Sequence, residues 1–280
     1  MLQDIAFGRL ENEFRNITAN AEDVIVCFCD GQVLLHRGSD DTLILPTVSY
    51  LSNMDQTTDL QYLFRLGQQN YFLWMDKTSV PAGSGFSYEA VRQLRQLKSK
   101  EVCFVIMTAW HLYNWYRTNR LCGCCGTPTV HDGKERMLRC PHCGNMIFPR
   151  INPVVIVAVT NGDRLLLSKY AGRAYTHYAL LAGYTEIGET IEQTVHREVM
   201  EEVGLRVKNL RYYKSQPWGV DGNVLMGFYC DVDGSDEVHI DERELSMADW
   251  YSRDNLPARD DGISLTREMI RVFGEGKEPK

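Results

Sequence analysis

No apolar run in this 280-residue sequence is long enough to cross a membrane. The nearest, "VCFVIMTAWHLYNWY" at residues 102–116, falls short of the about 18 residues a span needs and carries polar groups. The opening "MLQDIAFGRLENEFRN" has no basic start followed by an apolar stretch, so no signal peptide is expected. Basic excess is also missing. Lys+Arg number 30 against Asp+Glu 37, a net charge of −7, which argues against a broad nucleic-acid-coating surface and leaves room for a small anion held through a metal. Internal repeats, low-complexity linkers and any helix-turn-helix or other DNA-reading module are absent, so neither DNA nor a membrane is expected as a partner. Cysteine is present, nine times, but clustered rather than spread as a disulfide framework. Without a signal peptide, that clustering fits a reducing cytoplasm and a metal site. At about 150 residues per domain, the length favours two domains, or two plus a small insert.

The first third opens with a helical pattern. "DVIVCFCDGQVLLHRG" then places two β-rich runs around Asp30-Gly31, a tight-turn pair that predicts a hairpin. After the Gly/Pro/Ser cluster "SVPAGSGFS", a helical stretch is expected from about Tyr88 to Arg117, with Phe104, Trp110, Trp115 and Tyr116 as packed aromatics. Beyond the cysteine-rich segment, "NPVVIVAVTNGDRLLLSKY" predicts a second hairpin around Asn161-Gly162. A glutamate-rich helix, strands at "VKNLRYYKSQPW" and "NVLMGFYCDVD", and an amphipathic helix near residues 264–273 complete an α/β or α+β domain with a mixed sheet. The basic stretch "RQLRQLKSK" is expected to be a solvated helix face.

"LCGCCG" and "LRCPHCG" give Cys122-x2-Cys125, fourteen residues, and Cys140-x2-Cys143. Two such knuckles set four thiolates at tetrahedral corners about 2.3 Å from a zinc ion. Four thiolates leave no open position for water, so this zinc is expected to be structural. Gly126 and Gly144 follow the knuckles and suit their turns. Cys124 would give a poorer bite and is a spare thiol. His142 could replace a cysteine, but four thiols already satisfy the metal. Cys27, Cys29, Cys103 and Cys230 lie in apolar runs and are expected to be buried small hydrophobes.

Residues 183–205, "GYTEIGETIEQTVHREVMEEVGL", crowd carboxylates onto one helix. Glu201 and Glu202 stand three and four residues after Glu198, on one face and about 5–6 Å apart at Cβ. Bare, they repel; oxygen ligands of this kind suit Mg²⁺ or Mn²⁺, which accept substrate phosphates as further ligands. Arg197 and Glu189 are expected to pair, tying the preceding loop to the helix. Gly183 and Gly188 would permit a loop of unusual geometry that brings carbonyls near the metal.

The spacing G-x5-E-x7-R-E-U-x-E-E-x-G-U, with U aliphatic, resembles the Nudix box. Gly183, Glu189, Arg197, Glu198, Val199, Glu201, Glu202, Gly204 and Leu205 fill every specified position. The resemblance implies an α/β/α sandwich and metal-assisted attack of water on a phosphorus of a nucleoside diphosphate derivative, with a glutamate taking the water proton. A four-cysteine ribbon directly before such a domain is similar to the NADH pyrophosphatase (NAD diphosphatase) family. Further similar stretches are "MIFPRINPVVIVAV", "LLAGYTEIGET", "SQPW" and "ELSMADWYSRDNLP". The implied organisation is an N-terminal α+β domain over 1–118, a zinc ribbon over 119–149 and a Nudix domain over 150–280.

The family's second motif, SQPWPFPxS, is kept here only as Ser215, Gln216, Pro217 and Trp218. It continues "GVDGNVLM", with Asn223 nearest the family's serine. By resemblance, Gln216, Trp218 and Asn223 bind substrate, Phe148 and Tyr184 stack on nicotinamide, and Glu244 is a fourth carboxylate ligand or the general base, with Asp241 and Glu242 as alternatives. The family dimerises, so Phe148 would serve the other subunit's site. The activity implied is cleavage of NADH or NAD⁺ to nicotinamide mononucleotide and AMP, with removal of NAD caps from RNA as an extension. The rewritten motif makes ADP-ribose, FAD or another dinucleotide the competing substrates. A non-catalytic nucleotide sensor is the competing class, and such a protein would be expected to lose box glutamates.

Overall fold

The computed structural model describes residues 1–6, 8–52, 59–75, 79–83, 85–96, 99–172, 176–257 and 261–280. The chain divides into two compact units. One joins Met1, Ile151–Trp218 and Asn223–Lys280; the other joins Leu2–Arg150 and Gly219–Gly222, so the cysteine-rich segment groups with the N-terminal residues.

The C-terminal unit is built on strand Asn152–Asn161, which is buried almost end to end. Its side chains alternate between two cores. Val155, Val157 and Val159 pack with Val195, Val199 and Val203 of helix Ile191–Val203. Val154, Ile156 and Ala158 pack with Leu265, Met269, Ile270 and Phe273 of helix Leu265–Gly274. A strand buried on both faces needs a continuous apolar run, and "VVIVAV" supplies it. The three helix valines recur every four residues, so one stripe faces the sheet, each worth roughly 1.5–3 kcal/mol of burial. The result is the mixed α/β sandwich expected from the sequence.

The six-stranded sheet runs Val207–Trp218, Asn223–Val232, Asn152–Asn161, Arg164–Tyr170, Leu245–Ser252. Asn152–Asn161 and Asn223–Val232 pair in parallel. The predicted hairpin forms with Gly162 and Asp163 as its turn, but the strands stay paired only at Thr160 and Asn161. Leu181–Tyr184 takes the remaining edge, from Val157↔Leu181 to Val154↔Tyr184. That substitution of one partner for another brings Gly183 and Tyr184 against the glutamate helix. Gly183 therefore lies in a strand, not in the loop expected for it.

In the other unit, Leu10–Glu11, Leu60–Leu66, Gln69–Trp74 and Val24–Val26 form one sheet in that order. Phe28–Cys29 and Gln32–Arg37 form the expected hairpin, with positive φ at both Asp30 and Gly31. Two expectations fail here. The opening segment contains strand Leu10–Glu11, paired with Leu66 and Arg65, where a helix was expected. The helical stretch begins at Val91, as a 3₁₀ helix over Val91–Gln96, and becomes an α-helix at Lys100, rather than starting at Tyr88, because Phe86–Ala90 is drawn into antiparallel pairing with Gln32–His36. Both are cases of long-range pairing overriding local propensity. Phe104, Trp115 and Tyr116 are buried as expected, and Trp110 packs on Phe28 at 5.1 Å. Cys27, Cys103 and Cys230 are buried, while Cys29 is half-buried. The stretch "RQLRQLKSK" lies partly outside the described residues.

Candidate active site and zinc centre

The glutamate helix starts at Thr190, whose hydroxyl accepts from the Gln193 amide while the Gln193 side chain accepts from the Thr190 amide. This capping box fixes the helix against the loop that carries Glu189. Gly204 ends the helix in the left-handed conformation.

Arg197 organises the carboxylates. Its Nε and Nη2 donate to the two oxygens of Glu189 at 2.6 and 2.9 Å. Its Nη1 donates to Glu198 at 2.7 Å and to Glu201 at 2.9 Å, and its Nη2 also reaches the Tyr184 carbonyl at 2.8 Å. The expected Arg197–Glu189 pair is thus present, and it is the anchor of a larger clamp. The Arg197 guanidinium, followed by the Glu186 amide, holds the Glu189 carboxyl down to about 2.

Glu198 and Glu202 are buried, Glu201 is exposed, and Glu244 is exposed on the turn before strand Leu245–Ser252. Burial pushes the Glu198 carboxyl above its ordinary range; Arg197 opposes this, and repulsion from Glu201 and Glu244 adds to it. A Cβ on Gly183 would lie 1.8–2.0 Å from the Glu198 carboxylate, so only glycine leaves room for that group. Glu198 and Glu201, brought together on Arg197 Nη1, offer hard oxygen donors of the kind that Mg²⁺ or Mn²⁺ takes. Asp241 is committed elsewhere, accepting from Arg243 Nε at 2.9 Å and from Arg243 Nη2 at 2.5 Å.

The residues expected to bind substrate separate into groups. Tyr184 is 54% exposed, and its hydroxyl accepts from Asn223 Nδ2 at 3.2 Å. Asn152, which sequence reasoning missed, donates to Asn223 Oδ1 at 3.4 Å, its strand neighbour in the parallel pair. Trp218 is half-buried opposite Asn223. Gln216 is fully buried, and its amide bridges the Ile263 carbonyl and the Leu265 amide at 2.8 and 2.7 Å. Those contacts hold the start of the C-terminal helix. In the other unit, Phe148 is 53% exposed just after strand Met146–Ile147. The rewritten stretch belongs to that unit too: a Cβ on Gly219 would meet the Met107 carbonyl at 2.1 Å, and Asp221 pairs with Arg92 at 2.8 Å.

Cys122, Cys125, Cys140 and Cys143 bring their sulfurs within 4.8 Å of one another, the one such grouping of metal-ligand side chains among the described residues. Three separations are 3.5–3.6 Å, near the about 3.8 Å edge of a tetrahedron with Zn–S of about 2.3 Å. Gly126 and Gly144 both take positive φ at the knuckles. Backbone amides of Cys124 and Cys143 donate to the Cys122 and Cys140 sulfurs at 3.4 Å. The Cys124 amide helps hold the Cys122 thiol down, and Thr127 brings Cys125 to about 6. The Asn145 amide lowers Cys143, yet hydrogen bonds to the neighbouring cysteines outweigh it and push that thiol up to about 12. Four sulfurs this close share their negative charge comfortably only around a cation. Cys124 is exposed and stays outside the set.

Residues 150–273 match the NUDIX domain model, and residues 117–148 match the NADH pyrophosphatase zinc ribbon domain model. The chain carries a Nudix domain behind an NADH pyrophosphatase zinc ribbon. A zinc ribbon with four grouped cysteines supports zinc binding. Over 160 residues, 57% of its length, the chain is 41% identical to the NAD-capped RNA hydrolase NudC of Klebsiella pneumoniae subsp. pneumoniae, covering 62% of that protein. A relative of the same name from Pectobacterium atrosepticum is 41% identical over 57% of this chain and 61% of its own length. This chain thus aligns with about three-fifths of the length of these relatives. Among solved structures, a NUDIX hydrolase from Nitrosomonas europaea matches 56% of this chain and 91% of its own at 21% identity and TM-score 0.48. No helix among the described residues is long and apolar enough to cross a membrane.

Proposed function

We propose that this chain hydrolyses the diphosphate of NADH or NAD⁺ to AMP and the reduced or oxidised nicotinamide mononucleotide respectively, and that the same chemistry removes NAD caps from RNA 5′ ends. The observation that carries this reading is the Arg197 clamp, which holds box carboxylates together behind an NADH pyrophosphatase zinc ribbon. The names of the similar NudC proteins add the capped-RNA substrate.

Glu198, Glu201, Glu202 and Glu244 would hold Mg²⁺ or Mn²⁺, which when bound polarises the phosphoryl oxygens for attack. Arg197 fixes Glu198 and Glu201 in place before substrate arrives, so no reorganisation is required at the moment of reaction. Glu244 is the general base or the outer ligand, with Glu242 as the alternative, since the Asp241 carboxylate is occupied by Arg243. Tyr184 offers an exposed ring to the base, oriented by Asn223; Trp218 lies across the hairpin from Asn223. Base stacking of this kind is worth about 1–3 kcal/mol and accepts different bases. Phe148 supplies a second ring, to a neighbouring subunit of a homodimer in the cytoplasm. The zinc is structural and one per chain.

A substrate panel tests this. With Mg²⁺ or Mn²⁺, fastest release of mononucleotide plus AMP from NADH or NAD⁺ supports the reading. Faster turnover of ADP-ribose or FAD would move the substrate within the same chemistry. No turnover of any would return the protein to the sensor class.

A further inference from the structure

The box specifies Glu189 and Arg197 but leaves position 194 open, and here it is a threonine buried to 0% exposure inside the clamp. Thr194 Oγ1 donates within reach of two acceptors, Glu189 Oε2 and the Thr190 carbonyl, each at 3.1 Å. Back-bonding to the carbonyl four residues earlier is ordinary for a helical threonine. The reach to Glu189 is not, because it crosses from the helix to the loop residue that anchors Arg197. Glu189 then receives four donors. Arg197 Nε lies on Oε1; the Glu186 amide, Thr194 Oγ1 and Arg197 Nη2 lie on Oε2, the first two at 3.1 Å and the last at 2.9 Å. A carboxylate saturated in this way has no freedom to rotate, and neither does the guanidinium it grips in bidentate fashion.

We propose that Thr194 is a positioning residue for the pyrophosphatase reaction: its hydroxyl locks Glu189, Glu189 locks Arg197, and Arg197 sets the carboxylates of Glu198 and Glu201. This rests on the proposed hydrolase reading. Thr194 touches neither substrate nor metal, so its removal lowers turnover rather than affinity.

The test compares Thr194→Val, which keeps shape and removes the hydroxyl, with Thr194→Ser, which restores it. A lost hydrogen bond to a charged group corresponds to about a tenfold fall in rate. The expected result is therefore an about tenfold lower kcat on NADH for Thr194→Val, a KM within about twofold, and recovery to within about threefold in Thr194→Ser. A second readout needs no turnover. The Arg197 Nε–H resonance in ¹⁵N NMR, assigned by its loss in Arg197→Lys, shifts and exchanges faster in Thr194→Val and returns in Thr194→Ser. An unchanged kcat and resonance in Thr194→Val overturns the proposal, as does equal impairment of both variants, which would mark a packing role. If the unaltered protein turns over no dinucleotide, the hydrolase reading fails while the resonance still decides the relay. Should Thr194→Val not fold, Thr194→Ala replaces it, alanine being the residue best tolerated in a helix.

Discussion

Gly183 and Glu198 share a space that holds only one of them plus a hydrogen. An alanine at 183 would put its Cβ 1.8–2.0 Å from the Glu198 carboxylate, forcing that group out of the clamp. Displacement of about 1 Å in a reacting constellation costs about 10²-fold in rate. Gly183→Ala is therefore expected to lower kcat by about 100-fold while circular dichroism shows a folded protein; a fall of less than threefold would contradict the cradle. The nine box positions were legible because metal and phosphate chemistry fixes their spacing. The reason for glycine at 183 was not, since it depends on which strand takes the edge of Asn152–Asn161. Gln216 was read as a substrate contact from its motif, and only the fold shows its amide engaged with residues 263 and 265. Asn152 escaped notice because its partner lies 71 residues away in the parallel pair.

At the scale of elements, the glutamate helix owes its start to the Thr190–Gln193 capping box. Thr190→Ala should cost about 1 kcal/mol, read as a lower midpoint in urea denaturation with unchanged slope. The strand at Leu10–Glu11 was not legible locally, since it exists through pairing with Leu60–Leu66. Across the sheet, Glu268 on helix Leu265–Gly274 joins strand Val207–Trp218. Burial alone would raise this carboxyl, but Lys214 Nζ and the Tyr213 hydroxyl, each at 2.7 Å, outweigh that and hold it at about 2 against 4.5 unperturbed. A carboxyl depressed by folding stabilises the fold above its unfolded pKa. Its contribution is present above about pH 4.5 and is lost as pH falls toward about 2. Glu268→Gln should thus cost about 2 kcal/mol at pH 7, and the gap from the unaltered protein should close between pH 4.5 and 2. A gap independent of pH would refute the ion-pair account.

For the whole molecule, the two knuckles give a definite expectation. Metal analysis should find one zinc per chain, and Cys125→Ser should lose it together with the ordered amide signals of residues 122–147. Full zinc occupancy in that variant would contradict the four-sulfur site. The cysteine spacing announced this centre without help from the fold, because a tetrahedral shell dictates it. The grouping of Gly219–Gly222 with Leu2–Arg150 was beyond the sequence. It gives the departure from the family's second motif a physical reason, since Gly219 abuts the Met107 carbonyl and Asp221 meets Arg92.

The central claim is that clamped carboxylates direct water to a phosphorus of a dinucleotide diphosphate. Mass spectrometry of products formed from NADH in ¹⁸O-labelled water, with Mg²⁺ or Mn²⁺, tests it most directly. The account predicts two mononucleotides, one of them carrying a single ¹⁸O on its phosphate, and loss of both in Glu202→Gln. Release of free nicotinamide with the diphosphate intact, or no turnover in the unaltered protein, would contradict it.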